Sequence, residues 1–254
     1  MNEISSTSNK RIIELTRLHK NKYLEESQLF LVEGEKCFEE LIETNIKIIE
    51  VFITSSNVNK FKNLDKYNVT LVTEHVLKKL STTESSPNVV VLAEKKHYTS
   101  SDLKNNNVII LLENIKDAGN LGTIIRSAAA FECGGILLLG DTVETYNSKV
   151  IRSSAGNFFK IPILKLKSIN ELKNKFDDYK LIATSLSDTN SISIDSIKHS
   201  DKNIVMLGSE ASGLSQELSL NADYNTKIKH SNNVESLNLS IAASILLYEI
   251  YKNN

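Results

Sequence analysis

Val108-Ile-Ile-Leu-Leu-Glu-Asn-Ile-Lys-Asp-Ala-Gly-Asn-Leu-Gly-Thr-Ile-Ile-Arg-Ser-Ala-Ala-Ala-Phe131 decides the fold. Val108 to Leu112 is uninterrupted and apolar, as expected of a parallel strand buried on both faces. Gly119 and Gly122 follow, and glycine lets the backbone turn sharply and leaves room above a helix start. Asn120 can fix that turn through its side-chain amide. Leu121 to Phe131 then reads as a helix. In parallel α/β sheets, ligands sit beyond the carboxyl ends of the strands. Arg126, about one helical turn past Gly122, can reach beyond the loop toward an anion.

The same alternation continues on both sides of this segment. Downstream, strands are expected at Ile136–Leu139, Ile161–Leu164, Leu181–Thr184, Ile204–Leu207 and Thr226–Ile228. Helices are expected at Ser148–Ala155, Ile169–Phe176 and Leu214–Leu218, with a long apolar one at Leu237–Tyr251. Upstream, helical spacing at Asn9–Lys22, Glu35–Thr44, Asn57–Tyr67 and His75–Leu80 alternates with strands at Leu29–Val32, Ile46–Ile53, Val69–Val72 and Val89–Ala93. The polar stretch from Lys95 to Asn107 separates the halves. The pattern gives an N-terminal α/β domain over 1–97, a linker over 98–106 and a larger, mostly parallel α/β domain over 107–254. Of nine glycines, all but Gly34 lie between Gly119 and Gly213, which places the special loops in the second domain.

Composition narrows the class without naming it. The 254 residues are 41% hydrophobic and 24% charged, ordinary for a globular protein. A formal net charge of -1 excludes nothing, because basic residues can gather on one face while acids cancel them elsewhere. No run approaches the ~20 apolar residues of a membrane span. Met1 to Arg17 lacks an apolar signal-peptide core. Cys37 and Cys133, far apart in apolar patterns, fit a reduced cytoplasmic compartment.

Two more strand-to-helix junctions carry chemistry. In Val205-Met-Leu-Gly-Ser-Glu-Ala-Ser-Gly-Leu-Ser215, Gly208 and Gly213 bracket Glu210, which is a carboxylate near a ligand, a brace for another loop, or a solvated loop acid. In Ile228-Lys-His-Ser-Asn-Asn-Val-Glu-Ser-Leu-Asn-Leu-Ser-Ile-Ala-Ala243, a polar loop enters an apolar helix. Capping explains one of Ser236 and Asn238. Asn238 and Ser240 inside so apolar a helix would need partners. A dinucleotide site competes for the first junction, since Asp141 lies ~20 residues on, where such folds place an acid for the ribose. The Gly-x-Gly-x-x-Gly fingerprint of that site is absent.

Together the three junctions resemble the SpoU family of RNA methyltransferases, within the SPOUT superfamily. The matching stretches are Asn120-Leu-Gly-Thr-Ile-Ile-Arg-Ser-Ala128, Leu207-Gly-Ser-Glu-Ala-Ser-Gly213, and Ile228 followed by Glu235-Ser-Leu-Asn-Leu-Ser240. Val150-Ile-Arg-Ser-Ser-Ala-Gly-Asn-Phe-Phe-Lys-Ile-Pro162 looks like the family segment between the first two motifs. Phe30-Leu-Val-Glu-Gly34 looks like part of the substrate-binding domain often fused ahead of it, similar to ribosomal protein L30e. The chain departs at Ala118, where the family has proline, and at Lys229-His230, where it has Pro-Met. Ser231-Asn-Asn233 also replaces a usual glycine.

The resemblance implies an α/β catalytic domain with a C-terminal trefoil knot, behind a smaller L30e-like α/β domain. It implies a homodimer that binds S-adenosylmethionine, uses no metal, and methylates a ribose 2′-hydroxyl, most plausibly in ribosomal RNA. Transfer RNA is the alternative substrate, and a non-catalytic RNA-binding paralogue the alternative function. Thr184, Leu207, Gly208, Ile228 and Leu237 would hold the cofactor. Arg126 would act on the acceptor, with Asn120, Glu210, Ser236 and Asn238 positioning it and the ribose. A guanidinium keeps its proton in proteins, so an electrostatic clamp is the favoured role over a general base. Lys10, Arg11, Lys20 and Lys22 form a basic start that could meet RNA phosphate.

Overall fold

The computed structural model describes residues 2–104, 106–184, 191–231 and 233–253. Asn105 of the expected linker and Asn232 of the glycine-lacking loop lie outside the described residues. The chain forms two compact units, Met1–Lys96 with Glu144–Phe159, and His97–Val143 with Lys160–Asn254.

The first unit is built on five strands, β1 (Asn2–Ile4), β2 (Leu29–Glu33), β3 (Ile48–Ile53), β4 (Val69–Val72) and β5 (Val89–Glu94), in the order β1-β4-β3-β5-β2. The β1–β4 and β3–β4 pairs are parallel, while β5 runs antiparallel to both its neighbours. Ile12, Leu31, Phe52, Val76, Leu77 and Val90 form one face of its core. The segment read as one helix over Asn9–Lys22 is broken. A helix at Lys10–Thr16 passes through a tight turn at Arg17–His19 into a second helix at Asn21–Glu26. Asn57–Tyr67, expected as a helix, is two single 3-10 turns, Val58–Lys60 and Leu64–Lys66, separated by Asn63 at φ 59°. A left-handed residue cannot continue a right-handed helix.

Glu144–Phe159 was expected to belong to the C-terminal domain, yet it packs with the first unit. Asn147 caps its helix, Ser148–Ser153, by accepting from Lys149 N at 2.9 Å. Tyr146 lies against Phe30, ring centroids 4.6 Å apart. Periodicity could predict the helix but not which core would take its apolar side.

Two carboxylates are buried in this unit, and each has an arginine. Glu33, 3% exposed, accepts from Ser81 Oγ (2.8 Å), Thr82 N (3.1 Å), Thr82 Oγ1 (3.0 Å) and Arg152 Nη1 (3.2 Å). The neighbouring His19 is held below its ordinary pKa by desolvation, and its Nε2 lies 3.0 Å from the Leu80 carbonyl. Glu50, also 3% exposed, accepts from Thr70 Oγ1 at 2.5 Å and from Arg11.

The second unit holds β6 (Val108–Glu113), β7 (Ile136–Leu139), β8 (Ile163–Leu166), β9 (Lys180–Thr184), β10 (Asn203–Leu207) and β11 (Tyr224–Thr226). All neighbours are parallel, in the order β11-β9-β10-β6-β7-β8. Every residue of β6 and β10 is buried, as their continuous apolar run requires. Leu103, inside the expected linker, is buried at the end of a one-turn helix, Ser100–Leu103. The helix Ala118–Ala130 starts three residues earlier than the periodicity indicates, because Asp117 caps it by accepting from Asn120 N at 2.7 Å. The last helix, Leu239–Lys252, packs on it, with Ser127 Oγ and Ser244 Oγ 2.6 Å apart. Among the described residues, no helix is long and apolar enough to cross a membrane.

Removing Arg152 takes one partner from a carboxylate that burial has stripped of water. Hydrogen bonds to charged groups contribute about 1.5–3 kcal/mol. Arg152→Ala should lower unfolding free energy by about that much, and the double variant Glu33→Gln with Arg152→Ala should recover part of it. Urea unfolding of the four proteins of the cycle measures both. Equal stability of Arg152→Ala and wild type would contradict this account.

Candidate functional site

The site lies at the carboxyl ends of β6, β9, β10 and β11. Asn114, just past β6, adopts φ 56°, and its Oδ1 accepts from Asp141 N at 2.8 Å. Gly140 adopts φ 79°, a conformation that favours glycine, and a Cβ there would fall 2.3 Å from that oxygen. After β10 the chain doubles back on itself: Gly213, at φ 65°, donates to Ser209 O at 2.9 Å. A Cβ on Gly208 would sit 1.9 Å from the Gly213 carbonyl carbon. Glu113, 7% exposed at the end of β6, accepts from Ser215 N at 2.7 Å and so braces this second loop against the first.

Side chains from three distant segments then meet. Asn120 Nδ2 donates to Glu210 Oε1. Asn238 Nδ2 donates to Asn120 Oδ1 at 3.2 Å and to Glu210 Oε1 at 3.4 Å. Asn238 is itself the N-cap of the last helix, its Oδ1 accepting from Ser240 N (2.9 Å), Ser240 Oγ (2.7 Å) and Ile241 N (3.3 Å). One amide therefore serves both the helix start and the loop junction. Ser236 lies before the helix, exposed, on the wall of a cavity.

That cavity, of about 350 Å³, has an apolar wall from Leu207, Ile228, Leu237, Leu239 and Leu246. Thr184, Gly208, Glu210 and Ser236 supply polar edges. Thr184 Oγ1 donates to Met206 O at 2.9 Å. A second cavity of about 440 Å³ shares Ser209, Glu210 and Leu239 with the first, and extends to Lys116, Asp117 and Asn120. No cluster of His, Cys, Asp and Glu among the described residues has the makings of a metal site.

A profile described as the SpoU rRNA Methylase family matches residues 107–248. The chain belongs to that family. A second profile, the MRM3-like substrate binding domain, matches residues 9–91. An uncharacterized tRNA/rRNA methyltransferase of Synechocystis sp. is 30% identical, over 97% of this chain and 92% of that protein. The 23S rRNA (guanosine(2553)-2′-O)-methyltransferase RlmP of Bacillus subtilis is 26% identical, over 98% and 99% respectively. An AdoMet-bound rRNA methyltransferase from Sinorhizobium meliloti superposes with a TM-score of 0.87 at 26% identity, covering 99% of this chain and 97% of the other.

Against the family motifs, the structure gathers Asn120, Glu210, Ser236 and Asn238 with Thr184, Leu207, Gly208, Ile228 and Leu237 around the first cavity and its rim. Arg126 is not brought to it. It stands exposed on the Ala118–Ala130 helix and lines neither of these cavities. Gly119 and Gly122 do not form a turn but lie within helical turns, and Asn120 acts across the loops while Asp117 fixes the helix start. Asp141, the acid of the dinucleotide alternative, pairs with Lys116 at 2.8 Å.

Sequence reasoning missed Glu113 and Asp117. A carboxylate ending an otherwise apolar strand, and an aspartate three residues before Asn120, were the signals for them. His230, one of the family departures, lines the first cavity, as does Glu235.

The double duty of Asn238 sets a measurable contrast with Ser236. Loss of an N-cap costs about 0.5–2 kcal/mol. Asn238→Ala should cost at least ~1 kcal/mol in urea unfolding, whereas Ser236→Ala should fall within ~0.5 kcal/mol of wild type, as exposed substitutions usually do. Equal effects would mean that the cap bond does not hold this helix start.

Proposed function

We propose that this chain transfers a methyl group from S-adenosylmethionine to a ribose 2′-hydroxyl of RNA, with ribosomal RNA as the substrate class. The observation that carries the proposal is the Asn120–Glu210–Asn238 junction, built from all three family motifs at the edge of one cavity. The residues present suit the cofactor. The cavity falls within the ~300–1,000 Å³ of ligand pockets, and it joins an apolar wall for a flat base to polar edges for a ribose. Thr184, Leu207, Gly208, Ile228 and Leu237 would hold it. Bound there, S-adenosylmethionine supplies an electrophilic methyl on a sulfonium.

The chain's own residues must orient the acceptor hydroxyl and stabilise the charge that grows on its oxygen as its proton leaves. Alignment of reacting groups can supply ~7–11 kcal/mol of a barrier. Asn120, Glu210, Ser236 and Asn238 serve that alignment, and Arg126 serves as the electrostatic clamp on oxygen and neighbouring phosphate.

Arg126 lines neither of its own chain's two cavities, so the reading includes a homodimer in which the partner supplies it. Ile241 and Tyr248, 53% and 48% exposed on the last helix, support an interface there. It also includes the trefoil knot of the family's C-terminal segment and a cytoplasmic setting, consistent with two free, buried cysteines. RNA contacts fall to Lys10, Lys20 and Lys22, all exposed. Arg11 contributes less, because it is already paired with buried Glu50.

Two measurements test the reading. In single-turnover methyl transfer to ribosomal RNA, Arg126→Ala should slow transfer by ~10²–10³ while RNA and cofactor still bind. Arg126→Lys should restore little, since an ammonium lacks the planar fork. Wild-type rates from Arg126→Ala would remove it from the chemistry, and no ribose methylation by the wild type would leave an RNA-binding protein. Sedimentation at micromolar concentration should show a dimer, and Ile241→Glu should shift it to monomer. A monomeric wild type would refute the shared site.

A further inference from the structure

The N-terminal corner of the first unit carries an arrangement that the methyl-transfer reading leaves unused. Among the described residues of this unit, Ile13 and Tyr23 are the large apolar side chains left exposed, and Tyr23 is the one aromatic between them, at 40% exposure. The other rings are buried or packed on one another: Phe61 and Tyr67 against Phe38, and Tyr146 against Phe30. Tyr23 instead has a cation as its ring neighbour, the Arg17 Cζ lying 5.7 Å from its centroid.

Charge gathers at the same corner. Arg17, Lys20 and Lys22 are exposed, and none has a carboxylate within salt-bridge distance among the described residues. They lie within the seven consecutive positions that end at Tyr23. The acids of the segment, Glu14, Glu25 and Glu26, are exposed too and lie on its flanks. Arg11 is withdrawn from the patch by Glu50.

The corner is also held in place. Lys20 N donates to Arg17 O at 2.9 Å, and Tyr23 N to Lys20 O at 3.0 Å. Leu24, 2% exposed, anchors the short helix, and Lys95 Nζ donates to Leu24 O at 2.6 Å. A ring held on a fixed backbone, flanked by unpaired cations, loses little entropy when something stacks on it.

We propose that Tyr23 and Arg17 form a stacking platform for an unpaired RNA base, with Lys20 and Lys22 taking the adjacent phosphates. The proposal rests on the RNA reading above and narrows it to single-stranded nucleotides. Bases in a duplex are stacked on each other and offer no face to a protein ring, whereas splayed bases of loops and ends stack on tyrosine and on the guanidinium plane. An uncharged protein ligand would find no use for three cations, and a duplex would use the cations without the ring.

Fluorescence anisotropy with the full chain decides it, using a labelled unpaired ten-nucleotide RNA and a blunt-ended RNA duplex. Loss of base–aromatic stacking should weaken the unpaired RNA about tenfold for Tyr23→Ala, within the range of ~1–3 kcal/mol seen per stacked base. Tyr23→Phe should bind as wild type. Tyr23→Ala should leave the duplex affinity and the salt slope unchanged, whereas Lys22→Ala should weaken both RNAs modestly and lower the salt slope. Matching thermal unfolding of Tyr23→Ala and wild type confirms that the fold is kept. Equal affinity of Tyr23→Ala and wild type for the unpaired RNA overturns the platform, and so does an equal loss on both RNAs. A wild type that binds neither RNA overturns the RNA reading itself, a distinct outcome from the first two.

Discussion

Three segments far apart in the chain are held at one point by two asparagine amides and a carboxylate. Asn120 and Glu210 are 90 residues apart, and Asn238 is 118 from Asn120. Each group is used more than once. The Asn120 backbone N–H goes to Asp117, its carbonyl oxygen to Asn238, and its amide N–H to Glu210. An amide can donate and accept together, which an ionised carboxylate or an ammonium cannot. That chemistry is why asparagine suits both positions, since each must accept from one group while donating to another. The junction links the helix start at Asn238 directly to the doubled-back loop after β10 at the mouth of the cavity.

The rest of the second unit prepares this meeting. β6, β9 and β10 run parallel and in register, so their carboxyl ends arrive side by side. Buried Glu113 then ties the loop after β10 to the end of β6, and Gly140 with Asn114 fixes the next turn by close approach rather than by bulk. The loops are short of slack for physical reasons. A Cβ on Gly208 would meet backbone, which cannot move aside as a side-chain end can.

In the first unit the same economy acts on charge. Glu33 and Glu50 are buried, and burial of an unpaired carboxylate is costly. Arg152 and Arg11 answer that cost. The surface left for an anionic partner is therefore smaller than the run of basic residues from Lys10 to Lys22 suggests. Of the exposed cations in that run, Arg17 lies over the Tyr23 ring, and Lys20 and Lys22 precede that ring closely in sequence.

Much of this was legible in the chain. Continuous apolar runs ending in polar, glycine-bearing loops determine a parallel α/β unit, because buried strands need apolar side chains on both faces and loops need polar ones. Order and spacing of the three motifs identify the family. Helix boundaries were less legible, since caps such as Asp117 and Asn238 lie outside the apolar periodicity that marks a helix. Local pattern also cannot say what a side chain meets across the fold. Only the tertiary structure decided that Arg11 belongs to Glu50, that Glu144–Phe159 packs with the first unit, that Asn120 crosses to Glu210, and that Arg126 lines neither cavity. Each of these depends on contacts between residues distant in sequence, and periodicity carries information only about neighbours on one helix or strand.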